Sequence, residues 1–232
     1  MAELYGCDKM NTREKTFCKK KHKDLMYYNL IHRQDCKTTF TVFLGPNGTG
    51  KSMSLRYIED ECKDDKTVCL HYSNKSKDIV NTCWDFDINK MINAFRSEGE
   101  RVNASIFDWL NTEVLKELLT HDKDIYILFD ELDSGLSPNR LYEIVRQWKW
   151  IILQEKTRHP ERKIYSIFTC NSYELYEQIL NSNQEEVTTY WLPSKSIIKI
   201  DSYEKFKQKY MDYYNFMTVL DAQENEKSLE ED

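Results

Sequence analysis

The sequence contains Gly45-Pro46-Asn47-Gly48-Thr49-Gly50-Lys51-Ser52, which matches the phosphate-loop pattern G-x-x-x-x-G-K-[ST] in full. This loop follows the apolar run Phe40–Leu44 and precedes the helical pattern Ser52–Glu61, as the pattern requires. Glycines let consecutive backbone N–H groups point at a phosphate, and the dipole of the following helix points at the same anion. In this pattern the Lys51 ammonium lies between the β- and γ-phosphates, and the Ser52 hydroxyl binds Mg²⁺. The loop therefore predicts a site for a nucleoside triphosphate and magnesium.

A pair of acidic residues follows another strand pattern. The run Ile125–Phe129 is apolar and aromatic, and it ends at Asp130 and Glu131. Because ligands of open α/β sheets bind at the carboxyl ends of the strands, we expect both carboxylates to lie beside the phosphate loop. Asp130 is predicted to bind Mg²⁺, directly or through water. Glu131 is predicted to orient and deprotonate the attacking water as a general base.

Short β-rich runs separated by helical patterns predict an α/β fold, with a mostly parallel sheet covered by helices. The predicted strands are Phe40–Leu44, Thr67–Tyr72, Ile125–Phe129 and Lys163–Phe168. Ser137 and Pro138 suit the N-cap and first position of a helix that should end before Pro160. Its predicted apolar face comprises Leu141, Ile144, Val145, Trp148, Ile151 and Ile152. A second helix is predicted to start at Ser97-Glu98-Gly99-Glu100, which has the spacing of a capping box.

The length of 232 residues fits one sizeable α/β domain and is too short for two. We assign residues 1–220 to a single domain with a helical insertion at about 78–120. Residues 221–232 are acidic and nearly free of apolar side chains, so they are predicted to form a disordered tail.

The composition favours a cytoplasmic protein that is not embedded in a membrane. Seven cysteines without a C-x-x-C pair fit neither a zinc site nor a disulfide framework, but they fit a reducing compartment. No apolar run approaches the roughly 20 residues that span a bilayer, and the first residues lack a signal-peptide pattern. The net charge of -6 argues against general nucleic-acid binding. One local exception is a basic cluster near the N-terminus, which comprises Arg13, Lys15, Lys19, Lys20, Lys21 and Lys23. It is interpreted either as a solvated charged surface or as a binding site for nucleic acid or an acidic partner.

The identity of the nucleotide follows from what the sequence lacks. A GTPase needs the base-reading motif N-K-x-D, and the nearest candidate, Asn74–Asp78, is one residue too long. A small-molecule kinase is harder to exclude than a GTPase, since many share the phosphate loop, but such kinases usually lack an acidic pair after the strand and carry an arginine-rich lid, which we do not find here. ATP is therefore the predicted nucleotide.

Both motifs resemble those of ABC-type ATPases. Gly45–Ser52 is similar to the family's Walker A form G-P-N-G-x-G-K-S. Asp130–Pro138, in the form D-E-x-x-x-G-L-x-P, resembles the Walker B motif and D-loop of the soluble branch with SMC-like heads. That branch includes DNA-repair and overcoming-lysogenization-defect ATPases. Ser97–Arg101 is similar to the S-x-G-E form of the signature motif, and the resemblance extends over about Phe40 to Tyr176.

The resemblance implies Mg²⁺-dependent ATP hydrolysis by an ATPase head that forms a homodimer when ATP binds. Ser97 and Gly99 of one subunit are expected to contact the γ-phosphate held by the other. One triphosphate bridging both sites would make the dimer depend on ATP. Hydrolysis would then open the dimer and regulate a protein partner, such as a nuclease or another effector in genome maintenance or phage–host conflict.

Several positions depart from the family pattern. Asn171 stands near the place of the switch histidine after the fourth strand, where it is predicted either to donate its side-chain amide to the γ-phosphate or to cap a loop. No glutamine lies between Gln34 and Gln147, so the usual Q-loop glutamine is missing. Ser137 replaces the D-loop aspartate of transporters.

Two alternative functions stay open at this point. The interval between Lys51 and Asp130 leaves little room for the helical subdomain that docks on membrane helices, which disfavours the nucleotide-binding subunit of a transporter. An ATP-dependent binding switch with negligible turnover is the second alternative, because Asn171 replaces the histidine.

Overall fold

The structure is a computed structural model that describes residues 38–62, 67–73, 98–182 and 187–230. Its six strands form one sheet in the order β2-β3-β4-β1-β5-β6. The strands are β1 (Thr38–Leu44), β2 (Thr67–Ser73), β3 (Asp124–Asp130), β4 (Ile164–Cys170), β5 (Val187–Trp191) and β6 (Ser196–Ile198). Neighbouring strands pair in parallel from β2 to β5, and β6 pairs antiparallel with β5. The predicted α/β fold with a mostly parallel sheet is confirmed.

Helices cover the two faces of this sheet. They are α1 (Lys51–Glu61), α2 (Glu98–Trp109), α3 (Leu115–Thr120), α4 (Pro138–Arg158), α5 (Tyr173–Ser182) and α6 (Tyr203–Glu230). A π-helical turn, Leu110–Val114, joins α2 to α3. These three segments lie inside the predicted helical insertion, of which residues 78–97 fall outside the described part of the chain, as does the basic N-terminal cluster.

The alternation of side chains along β3 divides the core into two layers. Ile125, Ile127 and Phe129 belong to the cluster beneath α2, α4 and α5, whereas Tyr126 and Leu128 belong to the cluster beneath α1. This period of two is expected for a strand that is covered on both faces. Both layers exclude water, so hydrophobic burial stabilises the sheet from each side.

Chain direction explains which helix covers which face. The connection from β1 to β2 crosses the sheet in one direction, and those from β3 to β4 and from β4 to β5 run in the other. Because crossovers between parallel strands are right-handed, α1 lies on one face and α4 and α5 on the opposite face. The helices that follow the neighbouring strands β1 and β4 therefore lie on opposite faces of the sheet. Ligands of open α/β sheets bind in the crevice at the carboxyl ends of two such strands.

Helix α4 agrees with its sequence pattern. It begins at Pro138 after Ser137 and ends at Arg158, before Pro160, and all six residues of its predicted apolar face are buried. The Ser137 side chain makes no capping hydrogen bond, although its extended backbone has N-cap geometry. The face also buries Glu155, which forms an ion pair with the equally buried Arg162.

The C-terminal helix includes most of the segment that the sequence analysis expects to be a disordered tail. Helix α6 extends through Glu230, so helical backbone replaces the disordered tail expected from Asp221. The segment contains neither glycine nor proline and is rich in good helix formers, which lets a helix already started by packed residues continue. Its first turns pack by aromatic contacts, Phe206 against Tyr173 and Tyr210 against Trp191.

None of the helices in the described ranges combines the length and the apolar character needed to cross a membrane.

Candidate nucleotide-binding site

The loop between β1 and α1 contains three glycines with a positive φ, a backbone that other residues rarely adopt. Gly50 precedes α1 with φ 91°, a left-handed conformation that costs L-residues with a side chain. Gly45 has φ 154°, and a Cβ there would lie 2.7 Å from Thr49 Oγ1. Thr49 closes the turn by donating its hydroxyl to Pro46 O at 2.8 Å. The loop is thus fixed by its own contacts at the carboxyl end of β1.

Lys51 is buried and its ammonium lies against this loop. Nζ donates to Pro46 O at 3.0 Å and also to Gly45 O. Burial lowers the pKa of the ammonium, and among the neighbouring acids the carboxylate of Asp133 opposes this shift most. The Lys51 ammonium therefore lies among loop carbonyls and acidic side chains. An anion bound by the loop would contact it there.

Asp130 connects β3 to β4 and to helix α1 through two hydroxyl groups. Ser52 Oγ donates to Asp130 Oδ1 at 3.0 Å, and Thr169 Oγ1 donates to the same oxygen at 2.9 Å. Asp130 ends β3 and Thr169 lies on β4, the strand between β3 and β1. The structure therefore brings the predicted metal residues Ser52 and Asp130 into direct contact, and Thr169 is a partner that the sequence analysis does not predict.

This hydroxyl and carboxylate pair fits magnesium in a particular way. No group of three or more metal-binding side chains occurs within the described residues. Mg²⁺ commonly takes one or two protein oxygens and completes its octahedron with phosphate oxygens and water. Ser52 Oγ and Asp130 Oδ1 would supply that small protein share, so the residues present suit Mg²⁺ that arrives with phosphates.

Glu131 has a backbone conformation that is rare for a residue with a side chain. Its φ is 53°, and its N–H donates to Thr169 Oγ1 at 2.8 Å. Left-handed conformations outside glycine cost free energy and persist where surrounding contacts hold them, and such strained residues are found in clusters at active sites. The Thr169 hydroxyl thus fixes both predicted acids, donating to Asp130 and accepting from Glu131.

Asp133 is a third acid at this edge, and the sequence analysis does not assign it. Its Oδ2 accepts the backbone N–H groups of Asn171 and Ser172, both at 2.7 Å. The loop after β3 is thereby tied to the turn after β4, which contains the predicted residue Asn171. The only sequence signal for Asp133 is its place as the fourth residue of D-E-L-D. Its partners are backbone N–H groups, which every residue except proline has, so the sequence does not reveal the contact.

The C-terminal helix also reaches the phosphate loop. Gly45 N–H donates to the Tyr210 hydroxyl at 3.3 Å. Burial raises the pKa of this hydroxyl, so it stays protonated at neutral pH. Tyr210 is 165 residues away in sequence, and only the packing of α6 brings it to the loop.

Gly99 is the described member of the pair of residues predicted to act across a dimer. Ser97 lies outside the described residues. Gly99, in the first turn of α2, packs against Gly135 of the same chain, and a Cβ on Gly99 would lie 2.8 Å from Gly135 O. The start of α2 therefore contacts the loop that follows Glu131.

Comparison with known proteins assigns no family, since neither protein-family models nor curated proteins match this sequence.

Proposed function

We propose that this chain binds ATP with Mg²⁺ at the carboxyl edge of β1, β3 and β4 and hydrolyses it, as a P-loop NTPase of the ABC type. The observation that carries the proposal is the meeting of two distant motifs. Ser52 of the phosphate loop donates to Asp130, which is 78 residues away and directly precedes the strained Glu131. A glycine turn and a strand end that served the fold alone would not need this hydroxyl and carboxylate contact.

The roles of the residues follow from their positions. Backbone N–H groups of the loop and the N-terminus of α1 bind the phosphates, and the Lys51 ammonium neutralises their charge. Ser52 and Asp130 hold Mg²⁺, which neutralises developing charge on the phosphate oxygens when bound. Glu131 orients a water molecule and accepts its proton, a contribution of about 10²–10⁴-fold in rate.

Thr169 acts as a support for this machinery. Its hydroxyl has one hydrogen and accepting lone pairs, and both capacities are used, toward Asp130 and from Glu131. Since Thr169 is completely buried on the central strand β4, the two acids are held by a rigid element. This precision is what positional catalysis needs.

Dimerisation on ATP forms part of the proposal. The N-terminus of a helix binds anions, and the start of α2 is a second such terminus on a segment separate from the phosphate loop. The contact between Gly99 and Gly135 gives a route by which movement of the loop after Glu131 reaches α2. A protein effector regulated by opening of the dimer completes the proposed role.

Measurement of phosphate release tests the proposal. The parental protein should release phosphate from ATP only with Mg²⁺, and Glu131→Gln should bind ATP yet hydrolyse it about 10²-fold more slowly or worse. Hydrolysis by Glu131→Gln at the parental rate would remove Glu131 as the base. ATP binding without any phosphate release by the parental protein would instead favour the binding switch, the alternative suggested by Asn171 in place of a histidine.

A further inference from the structure

Asp133 connects the loops that leave β3 and β4. Its Oδ2 accepts N–H groups from two consecutive residues, Asn171 and Ser172, at 2.7 Å each. Hydrogen bonds to a charged acceptor are about twice as strong as neutral ones. Because both donors belong to one turn, the carboxylate fixes the direction of that turn as well as its distance from β3.

A second connection runs parallel to the first. Glu131 N–H donates to Thr169 Oγ1 at 2.8 Å, so the loop after β3 is also tied to the end of β4, two residues earlier in each segment. Glu131 has its left-handed backbone between these ties. The relative placement of Glu131 and Asn171 therefore depends on Thr169 on one side and on Asp133 on the other.

The charge of Asp133 is more than this tie requires. Its other oxygen, Oδ1, is buried and has no hydrogen-bond partner among the described residues. Leaving a buried carboxylate oxygen unpaired costs free energy, whereas an uncharged acceptor would hold the same two N–H groups at a lower cost. Among the acids near the Lys51 ammonium, Asp133 exerts the strongest attraction. The two N–H groups need only an acceptor, so the tie itself does not depend on the charge of Asp133.

We propose that Asp133 is a positioning residue for ATP hydrolysis: it holds the turn after β4 so that the Asn171 side chain faces the terminal phosphate opposite Glu131. This inference rests on the proposed function. Asp133 touches neither nucleotide nor water in this role, and it acts through Asn171 and through the loop that carries Glu131.

The first test separates kcat from KM. Asp133→Ala should lower kcat about 10-fold or more and leave KM for ATP within about 3-fold, because a displacement near 1 Å costs up to about 10²-fold in rate while the phosphate loop stays intact. Asp133→Asn keeps an acceptor for the two N–H groups and should recover most of the lost kcat.

Asp124 provides a matched control at the other end of β3. Its Oδ1 accepts the backbone N–H of Lys163 at 3.1 Å, so it also ties neighbouring chain segments through a carboxylate. Asp124→Ala should lower the free energy of unfolding and leave kcat and KM unchanged. If Asp133→Ala behaves like Asp124→Ala, Asp133 is only a structural tie and the inference is overturned.

A double-mutant cycle tests whether Asp133 acts through Asn171. Asn171→Ala alone should lower kcat. The fold-loss of kcat in the double variant should be much smaller than the product of the fold-losses in the two single variants. Fully multiplicative losses would show that the two residues act independently and would overturn the inference.

Amide hydrogen exchange tests the positioning without relying on turnover. In Asp133→Ala, or in Asp133→Leu should the alanine variant not fold, the amides of Asn171 and Ser172 should exchange faster than in the parental protein. Unchanged protection of both amides would contradict the tie. A parental protein that releases no phosphate would refute the proposed function, whereas an active parental protein with an equally active Asp133→Ala variant would refute only this inference.

Discussion

Replacement of Thr169 by valine tests whether the acids of β3 are held for catalysis. Thr169→Val keeps the shape of the side chain but removes the hydroxyl that donates to Asp130 at 2.9 Å and accepts from Glu131 N–H at 2.8 Å. Asp130 retains the Ser52 hydroxyl at 3.0 Å, so its carboxylate keeps one donor. The Glu131 N–H loses this acceptor, so one of the contacts that hold the left-handed backbone is removed.

The magnitude follows from these bonds. A hydrogen bond to a charged group contributes about 1.5–3 kcal/mol, and an unpaired buried donor costs about 1–3 kcal/mol. Since the two terms overlap at one hydroxyl, we expect the free energy of unfolding to fall by about 2–4 kcal/mol in urea titrations. We expect kcat to fall about 10-fold or more because Glu131 is displaced from its working position.

Ser166 supplies the control on the same strand. Its hydroxyl accepts the Trp148 indole N–H at 2.9 Å, and it is as fully buried as Thr169. Ser166→Ala leaves that indole donor unpaired, so it should cost about 1–3 kcal/mol of stability without changing kcat. The reasoning is refuted if Thr169→Val keeps the parental kcat, or if Ser166→Ala loses as much activity as Thr169→Val.

Three further predictions concern the metal, the fold and the assembly. Asp130→Ala should weaken ATP binding in the presence of Mg²⁺ and change it little in EDTA, because the metal loses its carboxylate; equal weakening in both conditions would contradict this role. Arg162→Met should lower the free energy of unfolding by about 3–5 kcal/mol in urea titrations, because Glu155 is left buried without its ion pair. Turnover per folded molecule should not change. A loss below about 1 kcal/mol, the value of a surface pair, would show that the pair is unimportant for stability. Glu131→Gln should form dimers with ATP and Mg²⁺ in light scattering, and adding Ser97→Arg should block them while ATP binding persists; a strictly monomeric Glu131→Gln protein at tens of micromolar (roughly, well above many regulatory affinities) would exclude a shared site.

The fold was predictable where one element contains its own pattern. The strands around Phe40–Leu44 and Ile125–Phe129 are apolar enough to be recognised alone, and helix α4 shows both its start and its buried face in sequence. Strand β5 is not predictable in this way. Its residues Thr188 and Thr189 are polar and buried only because β1 and α5 supply neighbours, as when the Tyr176 hydroxyl contacts Thr189 Oγ1 at 3.1 Å.

The site shows the same division. Lys51, Ser52 and Asp130 belong to motifs with fixed spacing, so their meeting follows from the parallel order of the strands. The Thr169 and Asp133 side chains accept backbone N–H groups from a different segment of the chain. The Tyr210 hydroxyl, on the last helix, accepts the Gly45 N–H of the phosphate loop. Such contacts depend on tertiary packing, which no local pattern encodes.

Equilibrium titration of ATP by calorimetry tests the central claim, that this edge of the sheet is a Mg²⁺–ATP site. The parental protein should bind one ATP per chain with Mg²⁺, and Lys51→Ala should weaken binding about 10-fold or more, the loss expected for one charge-assisted contact of about 1.5–3 kcal/mol. Lys116→Ala, which removes an exposed lysine on α3, should bind as the parental protein does. A folded Lys51→Ala protein that binds ATP with parental affinity, or a parental protein that binds none, would contradict the claim.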